Sequence, residues 1–370
     1  MARRPVESAP VRIDAADLAA ELARLCPANR IDLAGAVTLP CTLPHEKKWW
    51  SFLTEGRHGN LDYLTGDPAG RIDPTRANPW AGSLLVFAQR YTDGWPQDDP
   101  APSSGGPPGT PMDPDWTDRV ARYARGRDYH DVLLADIKKV VAGLRALWPD
   151  LTAFPATDTG PYLEREYAWL AGLGFLGKNT CLIHEKLGSG LFLGVAPTNL
   201  DITGLPGVGI PAAKPLYTVT PRRRREPVRV AASHCGTCTR CLEACPTGAL
   251  MPGGGMDAGR CLSTWTIEWR GGTPGDRHSD QGGLLFGCDI CQAVCPWNQR
   301  AAEAPPPSPL REEYAPLADH AEIKLADLLE LTDADFKTRF RRTPLWRCHP
   351  LGLRANAAVV LENLDREDVP

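Results

Sequence analysis

The chain has 370 residues, of which 42% are apolar and 23% charged, with 41 basic against 45 acidic side chains and a net charge of −4. This balance excludes a disordered chain and a nucleic-acid binder that works through net positive charge, and the length suits two or three units. The N-terminus MARRPVESAPVRIDAADLAAELARL lacks an apolar segment ending in a small-residue cleavage site, and no run of roughly 18 apolar residues occurs, so a cytoplasmic protein without membrane association is expected.

Residues 14–26 place apolar side chains at helical spacing behind an Asp suited to N-capping, which predicts a first amphipathic helix. IDLAGAV at 31–37 and SLLVFAQRY at 83–91 read as buried strands, and WWSFLTEGRHGNLDYL between them has helical spacing, which together predict α/β wiring. The segment 94–115 is so rich in Pro, Gly, Ser and Asp that it reads as a mobile surface loop. Helices are predicted over 131–147 and 161–173, the second opening on a proline, and 174–196 reads as a turn and a strand pair. This first unit is expected to end near Thr218, with PRRRREPVR at 221–229 as an exposed crossing. Beyond Pro305 the chain is expected to be helical to its end.

Twelve cysteines occur, and eight of them crowd into residues 235–295. HCGTCTRCLEACPTGAL contains Cys-x2-Cys-x2-Cys-x3-Cys-Pro, the loop that turns three thiolates toward one iron-sulfur cluster and passes the fourth to another. GCDICQAVCPWN supplies three more, with Cys261 upstream. The pattern assigns Cys235, Cys238, Cys241 and Cys295 to one 4Fe-4S cluster and Cys245, Cys261, Cys288 and Cys291 to a second. A pair of four-cysteine zinc sites is the competing reading, disfavoured by the three closely spaced cysteines and two Cys-Pro halves. Cys26, Cys41, Cys181 and Cys348 read as ordinary buried or surface thiols. Clusters carry electrons and do no group chemistry, so the long stretch before Cys235 is expected to hold a second cofactor or a substrate.

Five ordered motifs lie before or across the cysteine region: GRHGNLDYL at 56–64, RIDPTRANPWAGSLLVFAQRY at 71–91, RYARGRDYH at 122–130, DTGPYLEREYAWLAGLGFLGKNT at 158–180, and the two cysteine halves. Over most of its length the chain resembles the epoxyqueuosine reductase family, the iron-sulfur and cobalamin enzymes of the last step of queuosine synthesis in tRNA. The resemblance implies an α/β cobalamin-binding domain (1–220), a bacterial-ferredoxin-like two-cluster module (221–305) and a short C-terminal helical segment (306–370). It also implies a cobalamin without a protein ligand to cobalt, reduced through the two clusters by flavodoxin or ferredoxin, in a monomer acting on a tRNA anticodon loop.

Asp158 matches the family's proton donor, a role that requires burial to hold its proton near neutrality; spacing alone reads it as a helix N-cap. Arg71, Lys178 and Asn179 fall at positions that resemble the cobalamin pocket. Tyr129 and His130 read as structural or as direct participants, and Glu164 and Glu166 as a solvated helix face. Arg222, Arg223, Arg224 and Arg225 read as a phosphate-binding patch or a solvated linker; Trp265, Trp269 and Trp297 as base-stacking surfaces or as shields around the clusters. The C-terminal stretch departs from the family pattern at Ala355, where an Arg before Asn356 is expected. Two other functions fit the same motifs: a cobalamin-dependent reductase of a small molecule, like the reductive dehalogenases, and a non-catalytic electron-transfer protein.

Overall fold

The computed structural model describes residues 8–96, 119–206, 212, 214–219, 234–320 and 323–367. The four-arginine segment and the Pro/Gly-rich stretch beyond Pro96 lie outside the described residues. Nine strands are present among the described residues: β1 Val11–Asp14, β2 Leu33–Thr38, β3 Ser83–Arg90, β4 Ala156–Thr157, β5 Phe175–Leu176, β6 Leu182–Ile183, β7 Leu191–Thr198, β8 Leu200–Thr203 and β9 Tyr217–Thr218. Five of them form one sheet in the order β4-β7-β3-β2-β9.

All eight residues of β3 are buried, because both faces of the sheet are covered. Successive side chains on a strand point to opposite faces. Leu85 and Phe87 therefore join Leu22, Ile137 and Leu144 beneath helices Ala15–Ala28 and Tyr129–Leu147, while Leu84, Val86 and Ala88 meet Tyr167 and Leu170 of helix Glu164–Leu170. This is the mixed helix-and-sheet layering expected, in an antiparallel form: every pairing within the sheet is antiparallel. The chain between β2 and β3 returns to the end of the sheet it left, so it folds beside that end and makes no parallel crossover.

Local chemistry explains where the elements stop. The Asp14 carboxylate accepts the Ala16 N–H at 2.8 Å and starts the first helix as expected. The helix expected over WWSFLTEGRHGNLDYL covers Glu46–Thr54 and then breaks, because Gly56 and Gly59 take positive φ. At Gly59 a side chain would also collide with the backbone of Gly259 at 2.7 Å, so the GRHGNLDYL loop lies directly against the cysteine-rich region. The helix predicted over 161–173 is shorter, Glu164–Leu170. The described residues of 305–320 and 323–332 are not helical beyond the single turns Glu312–Tyr314 and Leu325–Leu328; prolines at 305, 306, 307, 309 and 316 remove donors and fix φ. Helices resume at Asp333–Phe340 and His349–Glu367.

The cores do not part at residues 220 and 305. Ala293 and Tyr314 belong to the core of the main sheet, and Val120 and Ala124 join Phe286 and the C-terminal helices in another. Val120 pairs with Phe286 as a parallel bridge. Among the described residues no helix is long and apolar enough to cross a membrane.

Candidate metal centres and active site

The eight clustered cysteines separate into two sets in space. Burial, followed by the neighbouring charges of Cys235, Cys295 and Cys238, pushes the Cys241 thiol up to about 11. The same two effects raise Cys288, whose thiol neighbours are Cys261 and Cys245, and Cys291, which feels Cys181 most strongly and then Cys288 and Cys261. Cys295 thus lies near Cys235 and Cys238, and Cys245 near Cys261 and Cys288. The first set lines a cavity of about 190 Å³ together with Lys178, Asn179, Ile183, His234, Arg240, Pro296, Trp297 and Arg300. Four thiols around a space of that size fit a four-iron cube better than a single zinc ion, which draws its ligands to one point.

Short helices set this arrangement. Arg240–Ala244 carries Cys241, Ile290–Ala293 carries Cys291, and Pro296 after Cys295 opens Pro296–Glu303 at the position where its missing N–H costs nothing. Asn298, fully buried, accepts from the Ser189 N–H and donates to Ser189 Oγ and Gln292 O, tying the cysteine loops to the main domain.

Lys178 and Asn179, expected at the corrin, sit with their polar groups on the cysteine loops. The Lys178 ammonium donates to the Gly236 and Cys238 carbonyls, both at 2.9 Å, and its backbone N–H points at Cys235 Sγ at 3.5 Å. Asn179 Nδ2 donates to Cys291 O at 3.5 Å. Sequence placed them near a cofactor; their side-chain reach, invisible in the motif, selects the first thiol cavity. Cys181 lies partly buried between the two sets, its thiol pushed up to about 11 by desolvation, near Cys295 and Cys241 on one side and Cys291 on the other. Cys26 and Cys348 lie in hydrophobic cores. Trp265, 2% exposed and stacked on Trp269 at 5.6 Å, covers Cys288, and Trp297 packs with Cys235 and Cys295, so these indoles shield thiols.

A second constellation surrounds Asp158. Its side chain is 66% exposed, and Oδ2 accepts from Tyr129 Oη at 2.9 Å and pairs with His130 Nε2 at 3.5 Å. The opposite nitrogen of His130 lies 2.6 Å from Asp128 Oδ1. Tyr129 and His130 open helix Tyr129–Leu147 under the N-cap Asp128, and the Tyr129 ring stacks on Phe192 of β7 at 4.1 Å. Asp158 caps no helix: the helix after it starts at Glu164 without a side-chain cap.

Burial alone would raise the Asp158 carboxyl and lower His130, but their mutual attraction wins, with help from Tyr129 and Arg165 at Asp158 and from Asp128 at His130. Asp158 is held below the usual carboxylate range, and His130 is pushed up to about 9. The burial required for Asp158 to hold its own proton is thus outweighed, and the proton rests on the imidazole behind it.

Glu164 and Glu166 do not form a solvated face. Glu166 accepts from His45 Nδ1 at 3.0 Å. Glu164 Oε1 is buried without a hydrogen-bond partner, and burial followed by the charge of Asp158 pushes its carboxyl up to about 8. Helical spacing could not show this, because the helix is seven residues long and is covered on several sides. Arg71 donates to Tyr63 O at 3.4 Å and stands 5.8 Å over the Tyr63 ring. Arg347, paired with Glu268 through two 3.0 Å bonds, stands over the same ring at 5.6 Å. Tyr63 is 53% exposed, and neither it nor Arg347 carried a signal in the sequence beyond membership of a motif.

Residues 71–159 match the family described as epoxyqueuosine reductase QueG, DUF1730, and residues 234–298 match the 4Fe-4S double cluster binding domain. An epoxyqueuosine reductase of Synechocystis is 38% identical over 66% of this chain and 75% of its own length; that of Xanthomonas campestris is 33% identical over 95% and 87%. The chain belongs to the epoxyqueuosine reductase family. A crystal structure of an epoxyqueuosine reductase with an epoxyqueuosine-modified tRNA-Tyr stem loop superimposes with a TM-score of 0.73 at 25% identity, covering 95% of this chain and 82% of that one.

Within this epoxyqueuosine reductase the departure at Ala355 falls on a packing seam. Gly272, at φ +78, meets Ala355 so closely that an added Cβ would lie 2.6 Å from the alanine methyl. Asn356 beside it is fully buried and donates to Thr266 O at 2.7 Å and Leu285 O at 3.0 Å, fastening the last helix to the cysteine-rich region.

Proposed function

We propose that this chain reduces epoxyqueuosine to queuosine in a tRNA anticodon loop, with electrons passing through two 4Fe-4S clusters to cobalamin. The observation that carries this reading is the exposed Asp158 carboxylate, 3.5 Å from the His130 imidazole, on a chain whose residues 234–298 match a double-cluster domain. Cys235, Cys238, Cys241 and Cys295 hold one cluster, and Cys245, Cys261, Cys288 and Cys291 the other. Residues 1–220 carry the cofactor and substrate site, 221–305 the two clusters and 306–370 the C-terminal segment, joined by cores that cross both bounds. The enzyme is a cytoplasmic monomer fed by reduced flavodoxin or ferredoxin.

Among the described residues Arg71 is engaged by one long hydrogen bond and one aromatic ring, which leaves N–H groups suited to the amides and phosphate of a corrin. Cobalamin held there would supply a low-valent cobalt as the two-electron reductant of the epoxide. The chain's own part is to hold and move protons. Breaking the epoxide C–O bond leaves negative charge on oxygen, and a positioned acid lowers that cost. Asp158 faces the substrate, His130 reloads it, and Asp128 fixes the imidazole so that Nε2 points at Asp158. Tyr63, Arg71 and Arg347 offer an aromatic surface with cations for an unstacked nucleoside and its phosphates.

Anaerobically reconstituted enzyme with cobalamin, a low-potential reductant and an epoxyqueuosine stem-loop is expected to yield queuosine, read as loss of one oxygen in the mass of the released nucleoside. An untouched stem-loop with a small organohalide reduced instead would replace this reading with the small-molecule reductase, and clusters without retained cobalt would leave the electron carrier.

Lys178→Met is expected to move the potential of the first cluster to more negative values by tens of millivolts, since a nearby cation favours the reduced, more negative cluster. An EPR-monitored redox titration reads it; an unchanged midpoint would show that the ammonium only staples the loop.

A further inference from the structure

Any two-electron reduction of an epoxide also consumes two protons. With the one electron pair delivered to carbon, breaking the first C–O bond leaves an alkoxide that takes one proton, and departure of the oxygen as water takes the second. The His130–Asp158 pair stores one transferable proton. A second store is therefore needed on the protein or from water.

We propose that Glu164 is that second store, a positioning residue that holds a proton beside Asp158 and passes it to the Asp158 carboxylate once the first has been spent. The inference rests on the reductase reading above. Glu164 opens the helix that follows the Asp158 loop. Its Oε1 is buried without a donor from the protein, a state far cheaper for a neutral carboxyl than for a carboxylate. Asp158 already carries a negative charge nearby, stabilised by His130 and the Tyr129 hydroxyl, and that charge disfavours ionisation of a second carboxyl beside it. Arg165 and Arg71 are the cations that face Glu164; they pull its proton affinity down without overcoming burial and Asp158. Arg165 spends part of its guanidinium on the Thr180 carbonyl at 2.7 Å. Two acids with opposed environments in one site is the arrangement that divides proton-holding from charge-holding roles.

The electrons come from the low-potential one-electron donor through the clusters, so the balance is two electrons and two protons in, water and the reduced nucleoside out. Glu164 returns to its acid form from solvent between turnovers.

The test uses holoenzyme with cobalamin, excess chemical reductant and the stem-loop. Glu164→Gln keeps the shape and removes the proton: kcat is expected to fall about 100-fold with KM and iron content unchanged. The alkaline limb of the kcat profile should move from about 8 in the wild type toward the His130 value of about 9. Glu164→Asp should restore most of the rate. A readout independent of turnover is the infrared carbonyl band of a neutral carboxylic acid, present at pH 7 in the wild type and absent in Glu164→Gln. An active wild type with Glu164→Gln within twofold of it, or a wild type without that infrared band, overturns the relay alone. Equal loss in both variants with loss of iron marks a structural residue and also overturns it. A wild type that leaves the stem-loop unreduced while the band persists overturns the substrate reading, and the relay with it.

Discussion

Cys295→Ser is expected to reduce iron from ~8 to ~4 per chain and to abolish turnover, and to remove the same EPR signal that Cys235→Ser removes. The pairing is the informative part. Cys295 lies four residues after Cys291 and shares its Cys-x2-Cys-x3-Cys-Pro loop, yet it stands among Cys235 and Cys238 and lines the cavity with them. Cys245, in the first loop, stands with Cys261 and Cys288. Cys245→Ser should accordingly match Cys288→Ser and leave the Cys235 signal in place. If Cys295→Ser instead matched Cys288→Ser, each loop would hold its own cluster and the crossed assignment would fail. Turnover is expected to disappear in every case, because the proposed electron route runs through both clusters.

Asp158→Asn is expected to lower kcat by about a hundredfold to ten-thousandfold, the range that a positioned acid contributes. Its effect on pH dependence follows from the paired charges. In the wild type the His130 proton is retained until pH rises through about 9, so the His130–Asp158 pair is loaded below that value and empty above it. Removing the Asp158 charge leaves Asp128 as the one carboxylate holding the imidazolium, and burial regains weight, so the limb due to His130 should move down from about 9 toward the ordinary 6.5. A kcat profile for the residual activity reads this shift; an unmoved limb would show that His130 is set by Asp128 alone.

The same groups tie folding to pH. His130 has a folded value above its ordinary one, so its pairing stabilises the fold fully below about 6.5 and is lost as pH rises through about 9. Asp128 and Asp158 have folded values below 3.8, so their share is present above that and is lost as pH falls through the lowered values. The full contribution therefore spans pH from about 4 to about 6.5 and fades toward 9.

Much of this was legible in the sequence. The continuous apolar run of β3, the periodic spacing of the helices Ala15–Ala28 and Tyr129–Leu147, and the Asp14 cap all depend on contacts within a few residues. The helix over WWSFLTEGRHGNLDYL was overextended because apolar spacing continued past two glycines whose conformation the fold requires. Residues 305–332 lost their expected helix to prolines that were in plain view but were outweighed by the flanking pattern.

Charge assignments fared differently. Glu164 and Lys178 each look like surface residues in their own segments; Lys178 is placed by partners far away in sequence, Gly236 and Cys238, and Glu164 by burial beside the Asp158 carboxylate. What the sequence by itself determined was the metal chemistry and the family, because both are written in short fixed spacings that constrain the chain locally. Only the tertiary structure decided where the protons sit, because a carboxyl or an imidazole takes its proton affinity from desolvation and from charges that long loops bring within a few ångströms.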